Sequence, residues 1–267
     1  LLLMSEAVAS SQIETIFSSA RSVAAAALGQ GGDVEASLVA GNVRSLQVAL
    51  GLVGGLDEAA IVEMQSALLG DSYPAAAGGW REQPVWIGGT GVGPHQADFV
   101  PPRAELVPGA MADLVEFMAR DDLPVLVHAA IAHAQFETIH PFIDGNGRTG
   151  RALLHAMLRS KGLLRNITVP VSAGLFAERR RYFASLTAYR QGNLEDIVLL
   201  LGEAAFRGIT EAQWLLRRIT ETVDEWRERL VDRQDALAWR ILEELPGQPV
   251  LNTNVLEERF AASNTAV

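Results

Sequence analysis

Apolar and polar residues follow helical spacing over most of the chain. Near the start, the spacing of Ala7, Val8, Ile13, Ile16 and Phe17 predicts an amphipathic helix. The same spacing predicts helices at about 35–52, 57–69, 108–120, 148–161 and 175–190, and a long charged helical run to about residue 245. Residues 121–140 are almost entirely apolar, which predicts a helix in the middle of the domain.

One segment departs from this pattern. In QPVWIGGTGVGPHQADFVPP, Trp86 and Ile87 precede a glycine-rich turn, and Phe99 and Val100 precede a double proline. This arrangement predicts a short β-hairpin at about 84–101. The alanine-rich stretch VAAAALGQGGD is interpreted as a linker. The predicted fold class is therefore all-α with one hairpin.

Composition narrows the class of protein. Of the 267 residues, 49% are hydrophobic but only 6% aromatic, which favours packed helices. The net charge of −10 excludes the overall basic footprint of a nucleic-acid-binding protein. The absence of cysteine excludes disulfides, thiol nucleophiles and cysteine zinc sites, and we expect a cytoplasmic protein. No stretch approaches the roughly 18 apolar residues of a membrane span.

Residues 145–151 have the features of an anion-binding loop. Gly145, Asn146 and Gly147 favour a turn whose backbone N–H groups form a nest for an anion. Arg148 is expected to open a helix, whose N-terminus adds partial positive charge. Arg148 and Arg151 are three residues apart, so both guanidinium groups lie on one face of the first turn. The sequence therefore predicts a polyphosphate site.

The residues before this loop supply further chemistry. Asp144 is an anion placed where anions bind, which is explained if it holds a divalent cation that bridges phosphate oxygens. His140 ends the preceding helix, and a neutral imidazole beside a phosphate can act as a general base. Phe142 is predicted to anchor the loop in the core. Since no G-x-x-x-x-G-K-[ST] motif is present, a P-loop NTPase is excluded.

The segment HPFIDGNGRTGR, at 140–151, resembles the motif of the Fic (filamentation induced by cAMP) family, H-x-F-x-[DE]-G-N-G-R-x-x-R, at every specified position. The likeness extends over roughly 4–210. It implies a Fic fold and transfer of AMP from ATP to a Ser, Thr or Tyr hydroxyl of a target protein, which could be the chain itself. By this resemblance His140 would be the base and Asp144 would coordinate Mg²⁺. The phosphates would be held by Gly145, Asn146, Gly147, Arg148 and Arg151.

Two further elements resemble the family. Its hairpin is a flap that docks the target segment by strand addition, here along the edge formed by Trp86, Ile87 and Gly88. Many members also carry an inhibitory helix, [ST]-x-x-x-E-[GN], whose glutamate pairs with the second motif arginine. SSQIET supplies Ser10 and Glu14 for such a helix at about 5–18, and the resemblance implies autoinhibition by pairing of Glu14 with Arg151.

Some assignments stay open at this stage. Thr15 stands where the family has Gly or Asn, which leaves the local backbone geometry undecided. Tyr182 and Tyr189 are interpreted either as packing residues or as a wall near the nucleotide base. The family also contains members that remove AMP or use another donor, and homodimerisation is not decided by the sequence.

The domain organisation is predicted in three parts. Residues 1–107 form an N-terminal helical region with the inhibitory helix and the flap, and 108–210 form the Fic core. Residues 211–267 form a linker helix and a module resembling a winged helix or helix-turn-helix, cut short at AASNTAV, so we expect a fragment at both ends. That module raises an alternative function, a DNA-binding transcriptional regulator that uses the Fic core as a nucleotide sensor.

Overall fold

The computed structural model describes residues 1–30, 33–52, 55–89, 93–165, 168–230 and 237–260. These ranges form a helical bundle. The bounds of its helices are α1 Leu2–Ile13, α2 Ala20–Ala27, α3 Val34–Gly51, α4 Glu58–Leu69, α5 Val107–Ala119, α6 Val125–Ile139, α7 Asn146–Ser160, α8 Val171–Ala177, α9 Arg179–Arg190, α10 Glu195–Arg229, α11 Leu237–Glu244 and α12 Thr253–Phe260. Three short 3₁₀ turns lie at Pro74–Ala76, Pro94–Gln96 and Ala104–Leu106.

The apolar helix α6 lies at the centre of the bundle, as predicted. It packs against α5, α7, α9 and α10. Its small residues Ala129, Ala130, Ala132 and Ala134 are all fully buried, so four neighbouring helices can approach it closely. The loop at 140–145, which carries the first part of the motif, follows directly from the C-terminus of α6 and is therefore attached to the packed centre of the bundle.

The helices predicted at about 35–52, 57–69, 108–120 and 148–161 are confirmed to within two residues. The single helix expected at 175–190 is instead two, α8 and α9, which meet at Glu178. There the backbone leaves helical geometry with φ −112° and ψ 32°. The stretch interpreted as a linker, 23–33, instead begins inside α2 (Ala20–Ala27). That helix starts after Ser19, whose Oγ accepts a hydrogen bond from the Ser22 amide at 3.0 Å.

The N-terminal helix is shorter than the predicted 5–18. It ends at Ile13, so Ile16 and Phe17 lie beyond it. The reason is the backbone of Thr15, whose φ of 63° is left-handed and cannot continue a right-handed helix. The helix α1 packs against α3, α7 and α8, and buried Asn42 Nδ2 donates to Ala7 O at 2.9 Å.

The predicted hairpin is reduced to one antiparallel bridge, between Ile87 and Phe99, in the described residues. Ile87 N donates to Phe99 O at 2.9 Å, and Asp98 N donates to Ile87 O at 2.8 Å. Gly88 and Gly89 follow with φ of 75° and 72°, which turns the chain out of the extended conformation before a ladder can grow. The tip at 90–92 lies outside the described residues.

The C-terminal helices α11 and α12 contact each other through Arg240, whose Nη1 donates to Phe260 O at 3.2 Å. The third helix expected for a winged-helix module would fall at 261–267, outside the described residues, so that module stays a prediction. No helix in the ranges given above is both long and apolar enough to cross a membrane.

Replacing either of two glycines on α10 by alanine is expected to change the stability of the protein in opposite directions. A Cβ at Gly208 would lie 2.7 Å from Pro170 O, whereas a Cβ at Gly202 would meet Leu126 Cδ2 at 3.8 Å, an ordinary contact. Gly208→Ala is therefore expected to lower the free energy of unfolding by about 1–3 kcal/mol through overpacking. Gly202→Ala is expected to raise it by up to about 1 kcal/mol, because alanine favours the helical backbone. Urea denaturation of the two variants checks this, and a shift of the same sign in both would contradict the packing argument.

Candidate active site

The loop between α6 and α7 is held by backbone conformation at both ends. His140 caps α6 in the left-handed region, with φ 51° and ψ 62°. Gly145, at φ 82°, caps the start of α7, which begins at Asn146 rather than at the predicted Arg148. Because glycine takes the left-handed position, Asn146 and Gly147 belong to the first helical turn. The amides of that turn have no acceptor within the helix, which makes them donors for an anion.

The Asn146 side chain stabilises this loop from within. Its Oδ1 accepts from Phe142 N and its Nδ2 donates to Phe142 O, both at 2.8 Å. Phe142 is fully buried, with Trp80 and Phe136 beside it at ring-centroid distances of 5.0 and 6.3 Å. The prediction that Phe142 anchors the loop is confirmed.

A cavity of about 860 Å³ opens over the loop. It brings together most residues predicted for the site: Glu14, Trp86, Ile87, His140, Asp144, Gly145, Asn146, Gly147, Arg148, Arg151 and Tyr182. Ser10 lies behind Arg151, to which it is hydrogen-bonded. Gly88 lies next to the flap bridge, outside the cavity lining.

Arg148 is a buried cation without a hydrogen-bond partner for most of its guanidinium group. The residue is 4% exposed, and its Nε and Nη1 have no partner in the described structure. The carboxylate of Asp144 is 4.0 Å from its Nη2. Burial lowers the pKa of Arg148, while Asp144 and Glu14 act against this. Since unpaired buried donors cost free energy, an anion in the cavity would stabilise this arrangement.

Arg151 is hydrogen-bonded to the C-terminal end of α1 and to the residue that caps it. Its Nε donates to Ser10 Oγ at 2.9 Å, and its Nη2 donates to Ser10 O and to Glu14 Oε1, each at 2.8 Å. Burial alone would lower the pKa of Arg151, but Glu14 and other nearby groups raise it above its usual value. A side chain at Gly147 would collide with Glu14 Oε1. The Glu14 carboxylate therefore lies on the N-terminal turn of α7, where an anion is expected to bind.

Thr15 follows Glu14 directly and sets the direction of the chain at the end of α1. Its left-handed φ of 63° is unfavourable for a β-branched residue. Its Oγ1 donates to Glu14 O at 2.6 Å, which fixes the turn that presents the Glu14 side chain. Thr15 therefore adopts a backbone conformation that glycine or asparagine would take with less strain.

The imidazole of His140 is held in its neutral form by burial. Burial lowers its pKa to about 4, although the backbone carbonyl of Glu137 opposes the shift; Arg81 lowers it further. The imidazole is consequently uncharged at neutral pH, the form that can accept a proton.

The titration of His140 gives a direct prediction. We expect its imidazole resonances in NMR spectra to shift near pH 4 rather than near 6.5. Because the unfolded chain binds this proton at the higher pH, His140 should lower the free energy of unfolding as the pH falls from about 6.5 towards 4. A midpoint at or above 6.5 would contradict the burial argument.

Three residues of the site were not found by sequence analysis. Arg81 is buried and donates to four backbone carbonyls. Glu137 lines the cavity, its buried Oε1 has no partner in the described structure, and burial raises its pKa to about 7. The guanidinium of Arg190 lies 3.6 Å from the ring centroid of Phe99 on the flap. Glu137 is three residues before His140, and this helical spacing could have indicated that both side chains lie on the same side of α6. No local pattern in the sequence indicated the two arginines.

Tyr182 and Tyr189 line two different cavities. Tyr182 is buried beside the cavity, and its hydroxyl lies 2.9 Å from His133 Nε2. His133 Nδ1 lies 3.1 Å from Gly150 O, so Nδ1 carries the proton and the Tyr182 hydroxyl donates to Nε2. Tyr189 instead donates to Gln135 Oε1 at 2.9 Å and lines a second cavity of about 530 Å³. The structure does not bring Tyr189 to the cavity over the loop.

Comparison with known proteins shows which family part of this chain resembles. Residues 55–158 match the model of the Fic/DOC family. Over 141 residues the chain is 33% identical to protein adenylyltransferase fic-1 of Caenorhabditis briggsae, covering 52% of this chain and 25% of that protein. It is 37% identical over 97 residues to a probable protein adenylyltransferase of Aquifex aeolicus, covering 36% of this chain and 28% of that one.

The fold has counterparts among solved structures. A Fic family protein from Desulfovibrio desulfuricans G20 aligns with a TM-score of 0.66 at 25% identity, covering 98% of this chain and 75% of that chain. The chain spans about a quarter of the length of these curated relatives. The resemblance to the Fic family and the helical fold class are confirmed.

Proposed function

We propose that this chain, which carries a Fic-family domain at residues 55–158, transfers AMP from ATP to a hydroxyl group of a protein. The observation that carries the proposal is Arg148, buried with Nε and Nη1 unpartnered at the N-terminus of α7. A phosphate group would satisfy these donors and the free amides of the first turn together. Relatives named protein adenylyltransferases support ATP as the donor.

The proposed reaction is an in-line displacement at the α-phosphorus. The target hydroxyl loses its proton to neutral His140 as its oxygen bonds to phosphorus. The bond from that phosphorus to the bridging oxygen breaks, and pyrophosphate leaves with the electron pair. Arg148 and the α7 amides stabilise the charge on the phosphate oxygens, so positioning and electrostatics supply most of the rate increase.

Mg²⁺ fits the residues present. Asp144 offers one carboxylate, about half exposed at the loop. No group of three or more potential protein ligands occurs in the part of the chain that the structure describes. Mg²⁺ is commonly held in this way, by one or two carboxylates together with substrate phosphates. When bound at Asp144, the ion would neutralise charge on the phosphates.

We further propose that α1 keeps the enzyme inhibited. Glu14 competes with a phosphate for Arg151 and for the start of α7, as their contacts suggest. The flap would dock the target segment along Trp86 and Ile87, which line the cavity next to the motif. A cytoplasmic location remains part of the proposal and rests on the cysteine-free composition.

The proposal is tested by intact-mass measurement after incubation with ATP and Mg²⁺. The Glu14→Gly variant is expected to gain the mass of AMP on its own hydroxyls or on an added cell extract's proteins, and to do so faster than the unmodified chain. Incubation with GTP, CTP or UTP in place of ATP serves as the donor control. Absence of AMP on any protein, in a variant shown to bind ATP, would reject the transferase.

A further inference from the structure

The helix α1 contacts α7 through a regular series of polar residues. Glu6, Ser10 and Glu14 are spaced four apart: Glu6 and Ser10 lie on one face of α1, and Glu14, the residue that caps its C-terminus, continues the same spacing. Ser10 and Glu14 bind Arg151. One turn further along α7, His155 Nε2 lies 2.9 Å from Glu6 Oε1. The inhibitory contact is therefore the outer part of a longer interface whose inner part is a second ionisable pair.

The inner pair is completely enclosed. The side chains of Glu6 and His155 are both 0% exposed. A third partner is Ser172, in the first turn of α8: its amide donates to Glu6 Oε2 at 2.9 Å, and its hydroxyl donates to Glu6 Oε1. One carboxylate thus connects three helices, α1, α7 and α8.

This carboxylate is well compensated in its buried site. Burial by itself raises the pKa of Glu6, but His155 and Ser172 outweigh burial and lower it, so the group is ionised at neutral pH. A buried carboxylate is tolerated only while its donors are in place. Any shift of α1 along α7 would separate Glu6 from these donors at high cost.

We propose that Glu6 is a positioning residue that fixes the register of α1 against α7, and that Glu14 reaches Arg151 because Glu6 holds this register. This inference rests on the proposed autoinhibition and identifies Glu6 as the residue that holds the inhibitory helix in place. Because Ser172 belongs to α8, and α8 packs along α10, displacement of those helices would release the inhibitory helix without any change at Glu14 itself.

The test compares Glu6→Gln with the unmodified chain by hydrogen exchange and ATP binding. Glutamine keeps the size of the side chain but removes the charge. We expect the α1 amides to exchange at least about tenfold faster and ATP to bind several-fold more tightly. Ser172→Ala, which removes one donor and is the milder change, should move both quantities in the same direction by less. Met118→Ala, a buried substitution on α5, is the control for general loss of stability and should leave ATP affinity unchanged.

A double variant separates positioning from simple destabilisation. If Glu6 acts through Glu14, adding Glu6→Gln to Glu14→Gly should give no further increase in ATP affinity. An α1 exchange rate in Glu6→Gln no higher than in Met118→Ala, or fully additive effects on ATP affinity, would overturn the inference. Unchanged ATP affinity in Glu14→Gly alone would reject the proposed autoinhibition instead, and α1 exchange in Glu6→Gln would still decide whether Glu6 anchors the helix.

Discussion

Replacement of Glu14 by glycine is expected to increase ATP affinity by about 10- to 100-fold, as measured by titration calorimetry. In the unmodified chain, ATP must displace a carboxylate that is hydrogen-bonded to Arg151 at 2.8 Å and lies against Gly147. A hydrogen bond between charged groups contributes roughly 1.5–3 kcal/mol, and this sets the size of the effect. The variant leaves Arg151 with its two contacts to Ser10, so the guanidinium stays in place for a phosphate.

Glu14→Gln serves as the matched control for this result. Its amide oxygen can still accept from Arg151 but carries no charge, so its affinity for ATP should lie between those of the other two proteins. Equal ATP affinity in all three would mean that Glu14 does not compete with the nucleotide.

Replacement of His140 by alanine is expected to reduce AMP transfer by about 10²- to 10⁴-fold, the usual contribution of a general base. The reduction should be measured in the Glu14→Gly background, where transfer is fastest. ATP affinity should change little, because the phosphate contacts come from Arg148, Arg151 and the start of α7. The two quantities together distinguish loss of the base from loss of the site.

His128→Gln is a suitable control for His140→Ala. His128 lies on α6, the helix that His140 caps. Its Nε2 lies 2.8 Å from Phe117 O, and neither residue lines the cavity. Transfer should persist in this variant. Comparable transfer in His140→Ala and in its parent would remove His140 from the chemistry.

Features that depend on neighbouring residues could be predicted from the sequence, whereas features that depend on tertiary contacts could not. The motif and the apolar helix α6 carry their information in adjacent residues, so their structures could be predicted. The end of α1 could not, because it depends on the backbone of the single residue Thr15. Glu6 and His155 are 149 positions apart in sequence, and nothing local identified them as a pair.

The tyrosines show a second reason. Tyr182 and Tyr189 are seven residues apart and share a helix face, which suggested a common role. Seven residues also correspond to about 10 Å along the axis. That displacement is sufficient to place Tyr182 beside the cavity over the loop and Tyr189 in another cavity. Helical spacing predicts the direction of a side chain but not what lies opposite each turn.

The hydrogen bonds of Arg81 bear on how a target segment would be positioned in the site. Its one guanidinium group donates to the carbonyls of Ile139 and His140 at the end of α6, and to those of Gln83 and Pro102 at the two ends of the flap. The two ends of the flap and the backbone at His140 are therefore connected through one side chain. Because these groups are ordered during folding, a target segment that docks on the flap would meet His140 at a preset distance, and the entropic cost of target binding would be smaller.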